Sequence, residues 1–242
     1  MVMLFLKHSS LPPELMEPGD SDPNLQIVSA FAEELRNALD SLGRKEGDMF
    51  AHYRLHSAKH IQRAVDGFVF LRKSGRFDCS KFLVRPAIEV VFKLQAIERK
   101  ADLLYRIAFT EHLQDQRMAR PAAKASEQSY DEAGADAHWD TFSAKYKAKY
   151  PTHEFVEEEI RIYTTAEQAN LASYYDSHYR LYSQYTHGTL RATSGSFDDL
   201  TDSEDGRVMA LCAWVALEAL ISIGANSPNR DELVKRLPQN QR

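Results

Sequence analysis

Apolar residues recur along this chain at helical spacing. Ile27, Phe31, Leu35 and Leu39 follow one another at intervals of four, and Gly43 offers a stop. A second pattern runs from Asp48 to Lys73, with Phe50, Ala58, Ile61, Val65 and Phe68 on its buried side. The run KSGRFD reads as a turn. A third helix is expected to start near Asp78 or Ser80, a good cap. From there to Leu113 the chain contains no glycine, which predicts one long helix with Pro86 as a kink or the mark of its first turn. Residues 120–138 are small and polar and predict a loop. WDTFSAKYKAKY predicts a short helix ending at Pro151, residues 154–163 a further short helix, and residues 165–187 another. Residues 188–206 are expected to form a loop, and the last long helix is expected over about 203–224.

No strand pair with a hairpin signal and no internal repeat occurs. The pattern therefore predicts an all-α fold, a helical bundle of about five to seven helices. Residues 8–24 carry four of the nine prolines and no apolar period. This places a flexible leader at 1–24, a single all-α domain at 25–225 and a polar tail at 226–242.

The apolar runs exclude some classes. MVMLFL is apolar for six residues and then meets Lys7 and His8, too short for a secretory signal. ALCAWVALEALISIG falls short of the roughly 20 residues of a membrane span and holds Glu218, so a buried core helix is expected and no membrane partner. Cys79 and Cys212 have no metal-type spacing and make no disulfide framework, which points to a reducing cytoplasm. The net charge of −5 argues against a protein that coats nucleic acid indiscriminately. Residues 51–120 nevertheless carry +7 between segments of −5 and −7. Either the basic middle is an anion-binding surface, or the segments neutralise one another on folding.

Candidate chemistry concentrates in YYDSHYRLYSQYTHGT. On a continuous helix, Arg180 and His187 lie two turns apart on one face with Asp176 and Gln184, while Tyr175, Tyr179 and Tyr182 lie on the other. His187 could transfer a proton near neutral pH and Arg180 could hold a phosphate, a combination suited to metal-free RNA cleavage. The same residues also read as a surface pair, Asp176 to Arg180, and a histidine ending a helix. Arg85 and Glu89 stand four apart in the apolar run FLVRPAIEVVF. They form either a buried structural pair or part of a polar cavity shared with His187, Tyr182 and Tyr185. Glu218 raises the same question.

His52, His56 and His60 have the i, i+4, i+8 spacing that can hold a metal, but they fan away from the apolar face and lack a carboxylate at a ligand spacing. A solvated helix surface is expected, with no metal and no cofactor. Gly-rich phosphate loops, Gly-x-Ser-x-Gly and Cys-x-x-Cys are absent, which removes those enzyme classes.

FLVRPAIEVVFKL followed far downstream by YRLYSQYTHGT resembles a family of helical, mostly prokaryotic proteins described as a domain of unknown function, over residues 25–225. The chain is also similar to the HEPN superfamily of small helical domains. That resemblance implies a metal-independent endoribonuclease of toxin or antiphage type, with an arginine, four to six residues and a histidine. Arg180 and His187 have six between them, with Leu181 where the superfamily pattern has a polar residue. The resemblance implies Arg180 and His187 as catalytic residues, RNA and an antitoxin as partners, and a homodimer in which two motifs meet. The competing expectation is a non-catalytic binding or scaffold protein built on an Arg85, Glu89 and His187 network.

Overall fold

In the computed structural model the described residues are 22–42, 48–127, 129–186 and 198–237. They are all-α. Helix α1 (Pro23–Ser41) begins at Asp22, whose carboxylate accepts the Asn24 N–H at 2.9 Å, with proline in the first turn where no N–H is needed. Helix α2 (Met49–Lys73) is capped by Asp48, which accepts from the Ala51 N–H at 2.8 Å. After a turn through Gly75, at φ 71°, α3 (Phe77–Arg99) runs back. Then follow α4 (Leu103–Ala125), α5 (Glu132–Lys149) and α6 (Ile162–Gln168). The next helix, α7, joins Ala172–Tyr174, a π-helical turn Tyr175–Tyr179, and Arg180–Thr186. Helices α8 (Asp198–Ser222) and α9 (Arg230–Arg236) complete the described chain.

Two hydrophobic cores result. The larger joins α1, α2, α3, α7 and α8 around Phe31, Leu35, Ile61, Phe68, Ile88, Phe92, Tyr182 and Leu220. The second lies between the end of α3, α4, α5 and the irregular segment before α6, and is aromatic: the Tyr105 ring centroid sits 5.3 Å from those of both Trp139 and Tyr146.

The second core explains where the expected elements shift. The long helix predicted from residue 78 to 113 is two helices. Lys100 is extended, at φ −138°, and the chain turns so that Ile97 and Leu104 both face the second core. Pro86 lies inside α3 rather than at its start. The loop expected at 120–138 is mostly helix: alanines 122, 123 and 125 extend α4, and Asp131 caps α5 by accepting from the Gly134 N–H at 2.9 Å. Residues 154–161 are not helical. Their backbone is tied down by α4 instead, with Arg106 donating to Glu158 and Glu159 carbonyls and Thr110 Oγ1 accepting the Ile160 N–H at 2.9 Å. The helix expected over 165–187 divides at Asn170, whose φ is 60°. Helix α8 starts within the predicted 188–206 loop.

The polar stretch 226–237 also carries structure. Leu233 and Leu237 are buried, and the carboxylate of buried Glu34 on α1 accepts from Ser227 Oγ, Asn229 N and Asn229 Nδ2 at 2.7, 3.2 and 2.9 Å. Residues 1–21, Gly43 and His187 lie outside the described residues. Nine helices are described, against the five to seven expected: two runs of helical period each divide at a turn that no glycine or proline marks, and α9 in the polar stretch replaces the short helix expected at 154–163. No helix of the described residues is long and apolar enough to cross a membrane.

Candidate functional site

Helix α3 carries Arg85, Glu89 and Lys93 at successive intervals of four, so they line one side of the helix. Opposite them α7 widens into its π turn, in which the Arg180 N–H reaches back to the Tyr175 carbonyl. Single π turns inside α-helices recur at functional sites. This one directs the Tyr179 hydroxyl onto the α3 pair. Tyr179 Oη donates to Glu89 Oε1 at 2.7 Å and accepts from Arg85 Nη2 at 3.1 Å. Arg85 Nε also lies 3.2 Å from Glu89 Oε1, and Nη1 donates to Thr186 Oγ1 at 3.3 Å. The Arg85 guanidinium stands 5.3 Å from the Tyr179 ring centroid.

Arg85 and Glu89 are therefore bonded to each other and to α7, but they are not sealed: their side chains keep 21% and 34% of their exposure. They open on a cleft of about 380 Å³. Ile107, Ile160 and Ile162 give it apolar surface, and Lys93, Glu159 and Arg161 add charge. Two of these charges are already matched. Lys93 Nζ donates to Glu111 Oε1 at 2.7 Å, and Arg117 holds Glu159 through two bonds of 2.9 and 3.0 Å. Arg161 has no carboxylate at ion-pair distance among the described residues, and it acts on Glu159 only as a nearby charge.

The protonation of the network is set by its surroundings. Burial, and then the Glu89 carboxylate, push the Tyr179 phenol up to about 12, so at neutral pH it is a donor. Burial acts to lower the Arg85 pKa, but Tyr179 and Glu89 outweigh it and raise it. The cleft thus sets the Arg85, Lys93 and Arg161 cations beside apolar surface, an arrangement that can hold an anion.

The other predicted residues fall elsewhere. Arg180 is on the outer face of α7, with 67% of its side chain exposed, and bonds Asp176 Oδ1 at 3.3 Å. It does not line the cleft. Tyr182 is wholly buried and donates to Asp205 Oδ1 at 2.6 Å. Tyr185 is buried with its hydroxyl unbonded, under the Lys81 ammonium at 5.1 Å. Both tyrosines belong to the core, not to the cleft. Glu218 is bonded to Trp214 Nε1 and Arg230 Nε at 2.9 and 2.8 Å at the far end of α8. The His52 and His56 rings lie 4.2 Å apart, tilted by 41°, on the exposed side of α2, and the described residues contain no group of three metal-ligating side chains.

Two features were missed from sequence. The first is an ion pair buried between α2 and α8, Arg72 with Asp205, which is 3% and 0% exposed. Arg72 continues the apolar spacing Ile61, Val65, Phe68, and it lies against the Phe68 and Phe77 rings, each 5.1 Å away. That spacing was the available signal. The second is Lys93 and Arg161. Lys93 extends the Arg85, Glu89 interval, whereas Arg161 reaches the cleft through an irregular segment that no pattern foretells.

The basic middle of the chain is largely matched on folding. Arg72, Lys100, Arg106, Arg117 and Arg120 pair with Asp205, Glu154, Glu158, Glu159 and Glu132, all from the acidic C-terminal part. This agrees with mutual neutralisation rather than one continuous basic surface.

Fold and cleft together define an all-helical domain with a charged pocket beside a π turn. A family model matches residues 51–206, and the chain belongs to that family, DUF5677, a family of unknown function. The match spans α2 to the start of α8 and so includes every cleft residue. No curated protein and no solved structure matches the chain.

Proposed function

We propose that this protein is a binding domain that holds a small molecule bearing an oxyanion group, phosphate or carboxylate, in the cleft between α3, α4, α6 and α7. The observation that carries this reading is the convergence of Arg85, Lys93 and Arg161 on one partly apolar cleft, with Arg161 without an ion-pair partner among the described residues. Arg161 meets the anion first, and its planar fork suits either oxyanion. Arg85, held by Glu89 and Tyr179, supplies an oriented second cation. The ligand's apolar part rests on Ile107, Ile160 and Ile162.

The test is a thermal-shift screen of phosphorylated and carboxylated metabolites against the wild type and Arg161→Ala. Stabilisation by an anionic compound in the wild type, lost in the variant, supports the reading. Absence of any anion-dependent shift defeats it.

A second reading, a HEPN-like metal-independent endoribonuclease of toxin or antiphage type acting as a homodimer, is favoured by the exposure of Arg180. A catalytic arginine must be open to its substrate. Arg180 would have to leave Asp176 to grip phosphate, and His187 would carry the proton. Cleavage of RNA in EDTA that leaves 2′,3′-cyclic ends and is abolished in His187→Ala would establish it. Intact RNA, or equal cleavage by both proteins, would eliminate it.

A further inference from the structure

A second, smaller cavity of about 220 Å³ lies on the other side of α4, against α5. Its chemistry is opposite to that of the first. Glu111 and Asp115 stand one turn apart on α4, and Trp139 and Phe142 come from α5, with ring centroids 5.4 Å apart. Trp139 is held rigidly. His112 stacks on it at 5.4 Å and 18°, and Tyr105 packs on it at 5.3 Å. His112 is itself fixed: Gln116 Nε2 donates to Asp136 Oδ1 at 2.7 Å and lies 3.1 Å from His112 Nε2. Asp115 has no ion-pair or hydrogen-bond partner among the described residues, and Glu111 is met from outside the cavity by Lys93.

We infer that this cavity is a binding site for a small organic cation, a primary ammonium or guanidinium, held between the Glu111 and Asp115 carboxylates and the Trp139 and Phe142 rings. Carboxylates supply the charge-assisted bonds, and ring faces and edges accept the cation's hydrocarbon. The volume suits a compact alkylamine rather than a large ligand. Lys93 is the built-in competitor. Its ammonium occupies Glu111 Oε1 at 2.7 Å, so an arriving cation must displace it or share the carboxylate with it. Freed Lys93 stays on the first cleft, which it also lines. The cation site stands without the anion-binding reading, because the two cavities share no lining residue.

The experiment uses the full chain. The protein has two tryptophans, so Trp214→Phe leaves Trp139 as the reporter. Agmatine, which carries both an ammonium and a guanidinium, is titrated against tryptophan fluorescence, with butyrate as the anionic control. A saturable change with agmatine and none with butyrate is expected. Glu111→Gln and Asp115→Asn should each weaken binding by about 10-fold, the size of one lost charge-assisted bond. Lys93→Gln should strengthen it, because the competing ammonium is gone. Arg161→Ala should leave it unchanged, which separates this site from the anion cleft. No saturable change with agmatine, wild-type affinity in both carboxylate variants, or weaker binding in Lys93→Gln would each overturn the assignment. Circular dichroism of the variants confirms that their helices are intact.

Discussion

Removing the Asp205 carboxylate is the sharpest perturbation of the fold. Asp205 is fully buried, accepts from Tyr182 at 2.6 Å, and is ion-paired with Arg72, which is 3% exposed between two phenylalanine rings. Asp205→Ala leaves a buried guanidinium without that carboxylate, which typically costs about 3–5 kcal/mol. It also strips the Tyr182 hydroxyl of its acceptor, a loss of about 1–3 kcal/mol on its own. The two share one partner and do not add, so a total of about 4 kcal/mol is expected. Against a domain stability of about 5–15 kcal/mol, that is a large fraction. Urea unfolding followed by circular dichroism at 222 nm measures it. With a slope of about 2–3 kcal/mol/M, the midpoint should fall by roughly 1.3–2 M. The double variant Arg72→Met, Asp205→Leu should be more stable than either single variant, because no charge is then buried alone. A single-variant loss below about 1 kcal/mol, or a double variant as unstable as the sum of the singles, would refute the burial argument.

Four further outcomes are expected. Glu89→Ala should cost only about 1 kcal/mol in the same assay, because the Arg85–Glu89 pair is half-open to solvent; a loss above about 3 kcal/mol would mean the cleft is closed in solution. Tyr179→Phe, which deletes the hydroxyl that bridges Arg85 and Glu89, should cost about 1–2 kcal/mol, and an unchanged urea midpoint would show that the bridge contributes nothing. Glu34→Ala should cost about 1–3 kcal/mol by orphaning Ser227 and Asn229, read by urea unfolding and by faster hydrogen exchange in α9. Burial against Tyr174 lowers the His178 pKa, so the unfolded chain binds its proton more readily and stability should fall as the pH drops through about 6.5. His178→Gln should flatten that part of the profile, and a slope identical to wild type would contradict it.

The periodicity of this chain carried its class and its longest elements. Asp48 and Lys73 bound α2 closely, because an aspartate cap and a glycine turn leave local marks. What escaped were boundaries set by tertiary contact. Lys100 turns so that two apolar faces can meet one aromatic core, and residues 154–161 stay extended because Arg106 and Thr110 satisfy their backbone. Neither cause is local. Among candidate residues, Arg85 and Glu89 were legible as two charges in an apolar run. Their partner Tyr179 was assigned to a tyrosine face but not to this pair, since a π turn changes which residues share a side. Tyr182 and Tyr185 read as polar-network residues because tyrosine looks alike in a core and in a site. Arg161 left no trace, since an irregular segment has no period to read.

Calorimetric titration with a nucleoside monophosphate asks whether anions bind at Arg161 and Arg85. One site per chain is expected, with affinity reduced about 10-fold or more in Arg161→Ala and unchanged in Arg180→Ala. Binding that survives Arg161→Ala and disappears in Arg180→Ala would move the site to the outer face of α7 and contradict the account.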